Sequence, residues 1–326
     1  MNKQLYEFHK VLGYRFIPNL RTRVIHESGG YLLKTNNSGF RSDIDFVEKK
    51  DPGKKRILLF GDSFTAGDGV SNGKRFSDLL MKYRTDLEVL NFAIPGTGTD
   101  QHYLSYKEFA QNFECDMVMI VVFVENIKRV NSRYRAYFDE HGARQIYGKP
   151  FFEVEDGKLK LGGVPVEPKP MSRIELDSEQ AEHLYSGGSF HSLKKLITIL
   201  GLKTLFQKFM KYDPLFEYKK PGSKEWQLLK SVLRNWSSEM DKPVLLVPMP
   251  LWQHVEGYLD FKPIEDRFME LHGVHGIHVF NPLPELRKYS PEDRRNFRFK
   301  IDVHFTPSGH EAYAKALLDP IHRILN

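Results

Sequence analysis

Short, almost uninterrupted apolar runs alternate along this chain with stretches of helical spacing. Arg56-Ile57-Leu58-Leu59-Phe60 stops abruptly at Gly61-Asp62-Ser63-Phe64-Thr65. A run of that length with polar flanks reads as a strand buried on both faces. Over residues 74–84, Phe76, Leu79, Leu80 and Tyr83 recur at helical spacing. Residues 87–93 read as a second strand, ending in Ile94-Pro95-Gly96-Thr97-Gly98-Thr99-Asp100, where Asp100 is expected to cap a helix running to about Phe113. Residues 116–124 form the most hydrophobic segment and must be a central strand, which ends at Glu125-Asn126. Strands and helices at this pitch predict βαβ units and a parallel sheet.

The rhythm is different at the start and in the middle. Residues 1–55 hold only short extended pieces around Tyr14-Arg15-Phe16 and Tyr31-Leu32-Leu33, and a turn, Asn36-Asn37-Ser38-Gly39-Phe40-Arg41. Such a lead-in can wrap the sheet, and Asn37 or Arg41 can reach the cleft; packing and turn chemistry are the plainer role. Residues 134–166 alternate around turns such as Glu155-Asp156-Gly157, the signature of hairpins, and the chain turns helical from Asp177. Over residues 190–212, Leu193, Leu196, Ile197, Leu200, Leu205, Phe206 and Phe209 are joined by five lysines and no acid. A segment of this kind can lie on a membrane surface, close over a site as a lid, or dock on the sheet with its lysines in water. The α/β pattern then resumes: a helix over 224–240, a strand over 243–248, a helix near 264–272 and a strand over 276–280. The last helix begins at Thr306-Pro307, a cap followed by proline at the first helical position.

Composition narrows the class. The 326 residues suffice for one large α/β domain, and 28% charged residues with a mean hydropathy of −0.46 carry no disorder signature. The formal charge of +6 permits an anionic partner, but 42 acids are interleaved with the bases, so charge alone does not argue for nucleic acid. Cys115 is the only cysteine, which rules out an intrachain disulfide and any cysteine-based zinc site. The thirteen histidines show no metal-ligand spacing, so neither metal nor cofactor is expected. No run approaches the length of a membrane span, and the first ten residues lack a signal-peptide core, so a cytoplasmic location is the expectation.

Candidate chemistry gathers at one edge. Parallel strands put their carboxyl ends together, where open α/β sheets bind ligands. Here that edge receives Ser63, Gly96 and Asn126 from three successive strands, and Asp302-Val303-His304 lies just before the final helix. Taken alone, Gly61-Asp62-Ser63 reads equally as a nucleophile turn or as an Asp-Ser helix cap. Residues i and i+2 of an extended stretch share a face, which pairs Asp302 with His304. Asp62 and Asp68 read as acids or, more plainly, as acceptors for turn amides. His310, in the first turn of the last helix, reads as a packing residue, and Trp252 and His254 after the fourth strand can line a cleft or pack.

Four blocks in order carry a family resemblance. Gly61-Asp62-Ser63-Phe64-Thr65 resembles the first signature block of the SGNH/GDSL hydrolase superfamily. Asn91-Phe92-Ala93-Ile94-Pro95-Gly96 resembles the second, Val124-Glu125-Asn126 the third and Asp302-Val303-His304 the last. The last block has the one-residue Asp-x-His spacing, followed by Thr306-Pro307-Ser308-Gly309-His310, that also occurs among carbohydrate O-acetylation enzymes of the superfamily. Ile127 stands where many members have Asp after the block-three Asn. The resemblance implies Ser63 as nucleophile, His304 as general base and Asp302 as its orienting acid. It also implies an oxyanion hole from the Ser63 and Gly96 backbone N–H groups and the Asn126 amide.

The expectation is therefore a three-layer α/β/α, flavodoxin-like SGNH fold with a five-stranded parallel sheet. It forms one domain over 1–326, with an N-terminal wrap of 1–55 and a cap insertion of 131–222. The expected activity is serine-dependent removal of a short acyl group from a carbohydrate, lipid or small metabolite, without a cofactor. An O-acyltransferase using the same triad and a catalytically silent binding module are the alternatives. Asp62, Asn37, Arg41, Trp252 and His254 are candidate substrate contacts, and weak membrane-surface contact through 190–212 is a further expectation.

Overall fold

The computed structural model describes residues 5–138, 144–171 and 214–326. The apolar runs become the five strands β1 (Lys55–Phe60), β2 (Leu87–Asn91), β3 (Met117–Phe123), β4 (Val244–Met249) and β5 (Ile277–Val279). All pair in parallel, in the order β2-β1-β3-β4-β5. This is the doubly wound order with its switch point between β1 and β3. Leu58 sits opposite Leu90 on one side and Val118 on the other, and Leu246 lies opposite Ile120. Every residue of β3 and of β4 is buried, which is why both read as unbroken apolar runs rather than as alternation.

Helices cover both faces, giving the three-layer α/β/α arrangement. In chain order they are α1 (Ser63–Ala66), α2 (Phe76–Tyr83), α3 (Thr99–Ser105), α4 (Asn126–Val130) and α5 (Lys224–Ser238). They continue with α6 (Trp252–Val255), α7 (Lys262–Met269), α8 (Leu283–Arg287), α9 (Pro291–Arg295) and α10 (Pro307–Leu325). α2 packs against α10, while α3 and α4 pack against α5. Thr306 caps α10 through the Gly309 N–H and Pro307 occupies its first turn, as the sequence predicts.

The helix after β2 departs from expectation. Gly98, not Asp100, is its N-cap, and Asp100 turns inward to form a buried ion pair with Lys149. An inward carboxylate that finds a dry ammonium has no reason to cap. The helix also ends at Ser105 and continues as a wider π-helical turn over Tyr106–Ala110.

The N-terminal residues form two hairpins, Tyr6–His9 with Gly13–Phe16 and Arg21–Val24 with Tyr31–Lys34. Two more occur after α4, Tyr134–Phe138 with Arg144–Gly148 and Phe151–Glu155 with Lys158–Gly162, the second turning at Asp156-Gly157. The basic segment 190–212 and the helical stretch expected from Asp177 lie outside the described residues. Among the described residues no helix is long and apolar enough to cross a membrane.

Candidate active site

β1 delivers its last residue, Phe60, fully buried, and the chain must then turn at once. Gly61 permits this: a Cβ there would collide with the Thr65 side chain. Asp62 follows as N-cap of α1, accepting from the Phe64 N–H at 3.1 Å and pairing with the Arg129 guanidinium at 2.8 Å. Ser63 is thus the first residue of a helix, where a backbone N–H has no intrahelical acceptor. Neither the Ser63 N–H nor the Gly96 N–H has a hydrogen-bond acceptor among the described residues.

Ser63 Oγ lies 2.7 Å from His304 Nε2, and His304 Nδ1 hydrogen-bonds Asp302 Oδ1. An imidazole that donates from Nδ1 to a carboxylate presents its Nε2 lone pair to the serine hydroxyl, which then donates. Asp302 Oδ1 also accepts from the His304 backbone N–H at 2.9 Å. Val303 between them points outward, half exposed, so the alternation expected of an extended stretch holds. The His304 ring lies against Phe64 at 4.8 Å, so the segments carrying the two residues pack directly.

The charges are graded. Burial pushes the Asp302 carboxyl up, but the hydrogen bond from His304 and the nearby imidazole charge bring it down to about 2. Burial pushes His304 down, yet the hydrogen bond to Asp302 and the negative fields of Asp68 and Asp302 raise it above its ordinary value. Burial raises the Asp68 carboxyl, which lines the same cleft.

Gly96 also lines the cleft, with φ of +79°. A Cβ there would strike the Arg135 guanidinium and approach the Tyr14 hydroxyl to 2.9 Å, so both conformation and space require glycine. Tyr14 in turn donates to the Pro95 carbonyl at 2.6 Å, which fixes this turn from the N-terminal hairpin. Asn126 opens α4 at the end of β3; it is fully buried, and neither atom of its amide has a partner among the described residues. A dry, unpaired amide is costly and calls for a function.

Of the remaining candidate contacts, Trp252 lines the cleft and donates from Nε1 to the Val303 carbonyl at 2.5 Å. The others lie elsewhere. Asp62 is consumed by the turn and Arg129. Asn37 is exposed in its turn, its N–H bonded to Asp45. Arg41 is buried, donating to the Gly67 and Val70 carbonyls at 2.6 and 2.8 Å. It holds the loop behind Ser63 rather than facing the cleft, because its guanidinium is taken up by the Gly67 and Val70 carbonyls. His254 is buried, with Nδ1 accepting from the Leu251 N–H at 3.1 Å. His310 is buried too, its Nδ1 accepting from the Phe76 N–H at 3.2 Å, with no contact to Ser63.

Sequence reasoning missed Arg135 and Tyr137, brought to the cleft by the hairpin after α4, and Tyr14 from the first hairpin. It also missed His26 and Glu27, which contact Asp302. Nothing local marks these residues, since each acts across long chain separation. Among the described residues no group of three or more His, Cys, Asp and Glu is arranged to hold a metal.

No protein-family model matches the chain, and no curated protein does. Similar solved structures include a member of the lipolytic protein G-D-S-L family from Veillonella parvula, at 14% identity over 82% of this chain and 99% of that one, with a TM-score of 0.41. TesA is similar at 11% identity over 83% of this chain and 100% of its own, TM-score 0.45. The psychrotrophic esterase EstA from Pseudoalteromonas sp. is similar at 10% identity over 84% and 100%, TM-score 0.42. In its sequence blocks and strand order, the chain resembles the SGNH/GDSL hydrolases.

Proposed function

We propose that this protein is a serine-dependent ester hydrolase that removes a short acyl group from a carbohydrate, lipid or small metabolite through an acyl-enzyme. The observation that carries the reading is the continuous relay from Ser63 Oγ to His304 Nε2 and from His304 Nδ1 to Asp302. A serine hydroxyl becomes a nucleophile only when an adjacent base takes its proton. In this reading His304 Nε2 accepts that proton as Ser63 Oγ bonds to the acyl carbon. Asp302, held ionised, stabilises the imidazolium without taking the proton itself.

The carbonyl oxygen then carries the negative charge, and donors aimed at it are worth about 3–4 kcal/mol each. The free N–H groups of Ser63 and Gly96 and the unpaired Asn126 amide support that role. Collapse returns the His304 proton to the departing alkoxide and leaves the acyl group on Ser63. Water then attacks with His304 again as base, releasing the acid and restoring the serine. An acceptor alcohol in place of water gives acyl transfer by the same steps.

The test is turnover of 4-nitrophenyl acetate. Ser63→Ala and His304→Ala should each lower kcat by about 10³-fold or more with the fold intact by circular dichroism. A Ser63→Ala protein that keeps the wild-type rate contradicts the proposal. Activity only when an alcohol acceptor is added favours the transferase.

A further inference from the structure

The segment carrying Asp302 and His304 has no strand or helix of its own between the Arg298–Phe305 bridge. Apolar packing does not hold its tip either, since Ile301 and Val303 are both 52% exposed. What reaches it is the turn of the second N-terminal hairpin. The Glu27 carboxylate accepts from three consecutive backbone N–H groups: Lys300 at 3.1 Å, Ile301 at 3.0 Å and Asp302 at 2.6 Å. Successive amides converge on one anion only where the backbone curls around it, and such charge-assisted bonds are the strong ones.

His26, beside it, faces Asp302 directly. The Ser28 backbone N–H donates to His26 Nδ1 at 3.2 Å. In the neutral ring this leaves the proton on Nε2, which lies 3.2 Å from Asp302 Oδ2. The ring is wedged edge-on against Phe299 at 4.5 Å and its side chain is 9% exposed. Asp302 therefore offers one oxygen to each imidazole: Oδ1 to His304 and Oδ2 to His26.

We propose that His26 and Glu27 are positioning residues of the active site. Glu27 shapes the backbone of the base loop, and His26 fixes the rotation of the Asp302 carboxylate so that its other oxygen stays on His304. The proposal rests on the Ser63–His304–Asp302 reading. Neither residue touches the reacting atoms. His26 is faced by Asp302, Ser28, Tyr31 and Phe299, Glu27 by the Lys300, Ile301 and Asp302 amides, and His304 itself by Asp302, Asp68 and Asp62.

The experiment measures kcat and KM for 4-nitrophenyl acetate from pH 5 to 9, using the full-length protein. His26→Phe keeps the ring packing on Phe299 but removes the donor. It should lower kcat about tenfold, the effect of one lost charge-assisted hydrogen bond, with KM within about twofold. The acidic limb should also move to lower pH by about half a unit, because the loosened Asp302 no longer holds the His304 proton affinity up. His26→Gln, which restores an N–H donor, should recover most of the rate. Glu27→Ala should lower kcat by a similar factor and Glu27→Gln by less; if Glu27→Ala does not fold, the His26 pair carries the test. Wild-type turnover that depends on Ser63, with His26→Phe and Glu27→Gln both matching wild type in kcat and pH limb, overturns the clamp alone. Wild-type protein without Ser63-dependent turnover overturns the parent reading and the clamp with it.

Discussion

A serine hydroxyl, an imidazole and a carboxylate are each ordinary; what differs here is that they stand in one hydrogen-bonded row. His304 is held by Asp302 with its Nε2 toward the Ser63 hydroxyl and with its ring against Phe64. Gly96 shows how tightly the opposite wall is specified. Alanine there meets a positive φ that costs about 1–2 kcal/mol, and its methyl group would press on Arg135 and Tyr14. Gly96→Ala should lower kcat/KM at least tenfold on 4-nitrophenyl acetate and lower stability by about 1–2 kcal/mol in urea unfolding. A Gly96→Ala variant with wild-type kinetics would contradict the proposed oxyanion role of this turn. At this scale the sequence was legible for Ser63, Gly96 and His304, because the nucleophile turn, the required glycine and the Asp-x-His spacing are local signatures. It was not legible for His26, Glu27 or Arg135, whose significance comes only from where distant hairpins place them.

At the scale of elements, the apolar runs announce the sheet and the helices between them, and the structure follows them closely. Boundaries moved where a buried polar contact outweighed local preference, as when Asp100 left the cap position for Lys149. Arg41 teaches the same lesson. Next to a Gly-Phe turn it reads as a residue that can reach a ligand, yet its guanidinium is closed in by the Gly67 and Val70 carbonyls and by Asn72 at 3.0 Å. The loop it braces leads directly out of the helix that begins at Ser63. Arg41→Met leaves the Val70 carbonyl dry and without its donor and takes a donor from each of the Gly67 carbonyl and Asn72, so it should destabilise the protein by about 3 kcal/mol, read as a lowered midpoint in urea unfolding. An unchanged midpoint would mean that water replaces the guanidinium without cost.

At the scale of the whole molecule, acid stability follows from buried histidines away from Ser63 and His304. His102 and His310 are fully buried, and burial pushes each down to about 3. The unfolded chain takes up protons on them near pH 6.5 while the folded chain does not. Stability from this source is therefore complete above about pH 6.5 and falls as pH drops toward 3, by about 2 kcal/mol per histidine at pH 5. His304 runs the other way, since its raised value adds stability below pH 6.5 that is lost as pH rises through it. Melting temperature should accordingly fall between pH 6.5 and 4, and His310→Phe should flatten that fall. An equal slope in the variant would place the acid sensitivity elsewhere. The five strands and their parallel pairing were readable from the sequence because each strand is a discrete run, while the segments that complete the cleft were readable only as short extended pieces at the N-terminus and as hairpins after α4.

Reacting the protein with a fluorophosphonate and mapping the adduct by mass spectrometry tests whether Ser63 is the nucleophile. One modified peptide is expected, carrying the label on Ser63, with labelling slowed about 10³-fold or more in His304→Ala. Label on another serine, or none on native protein that binds esters, would contradict it.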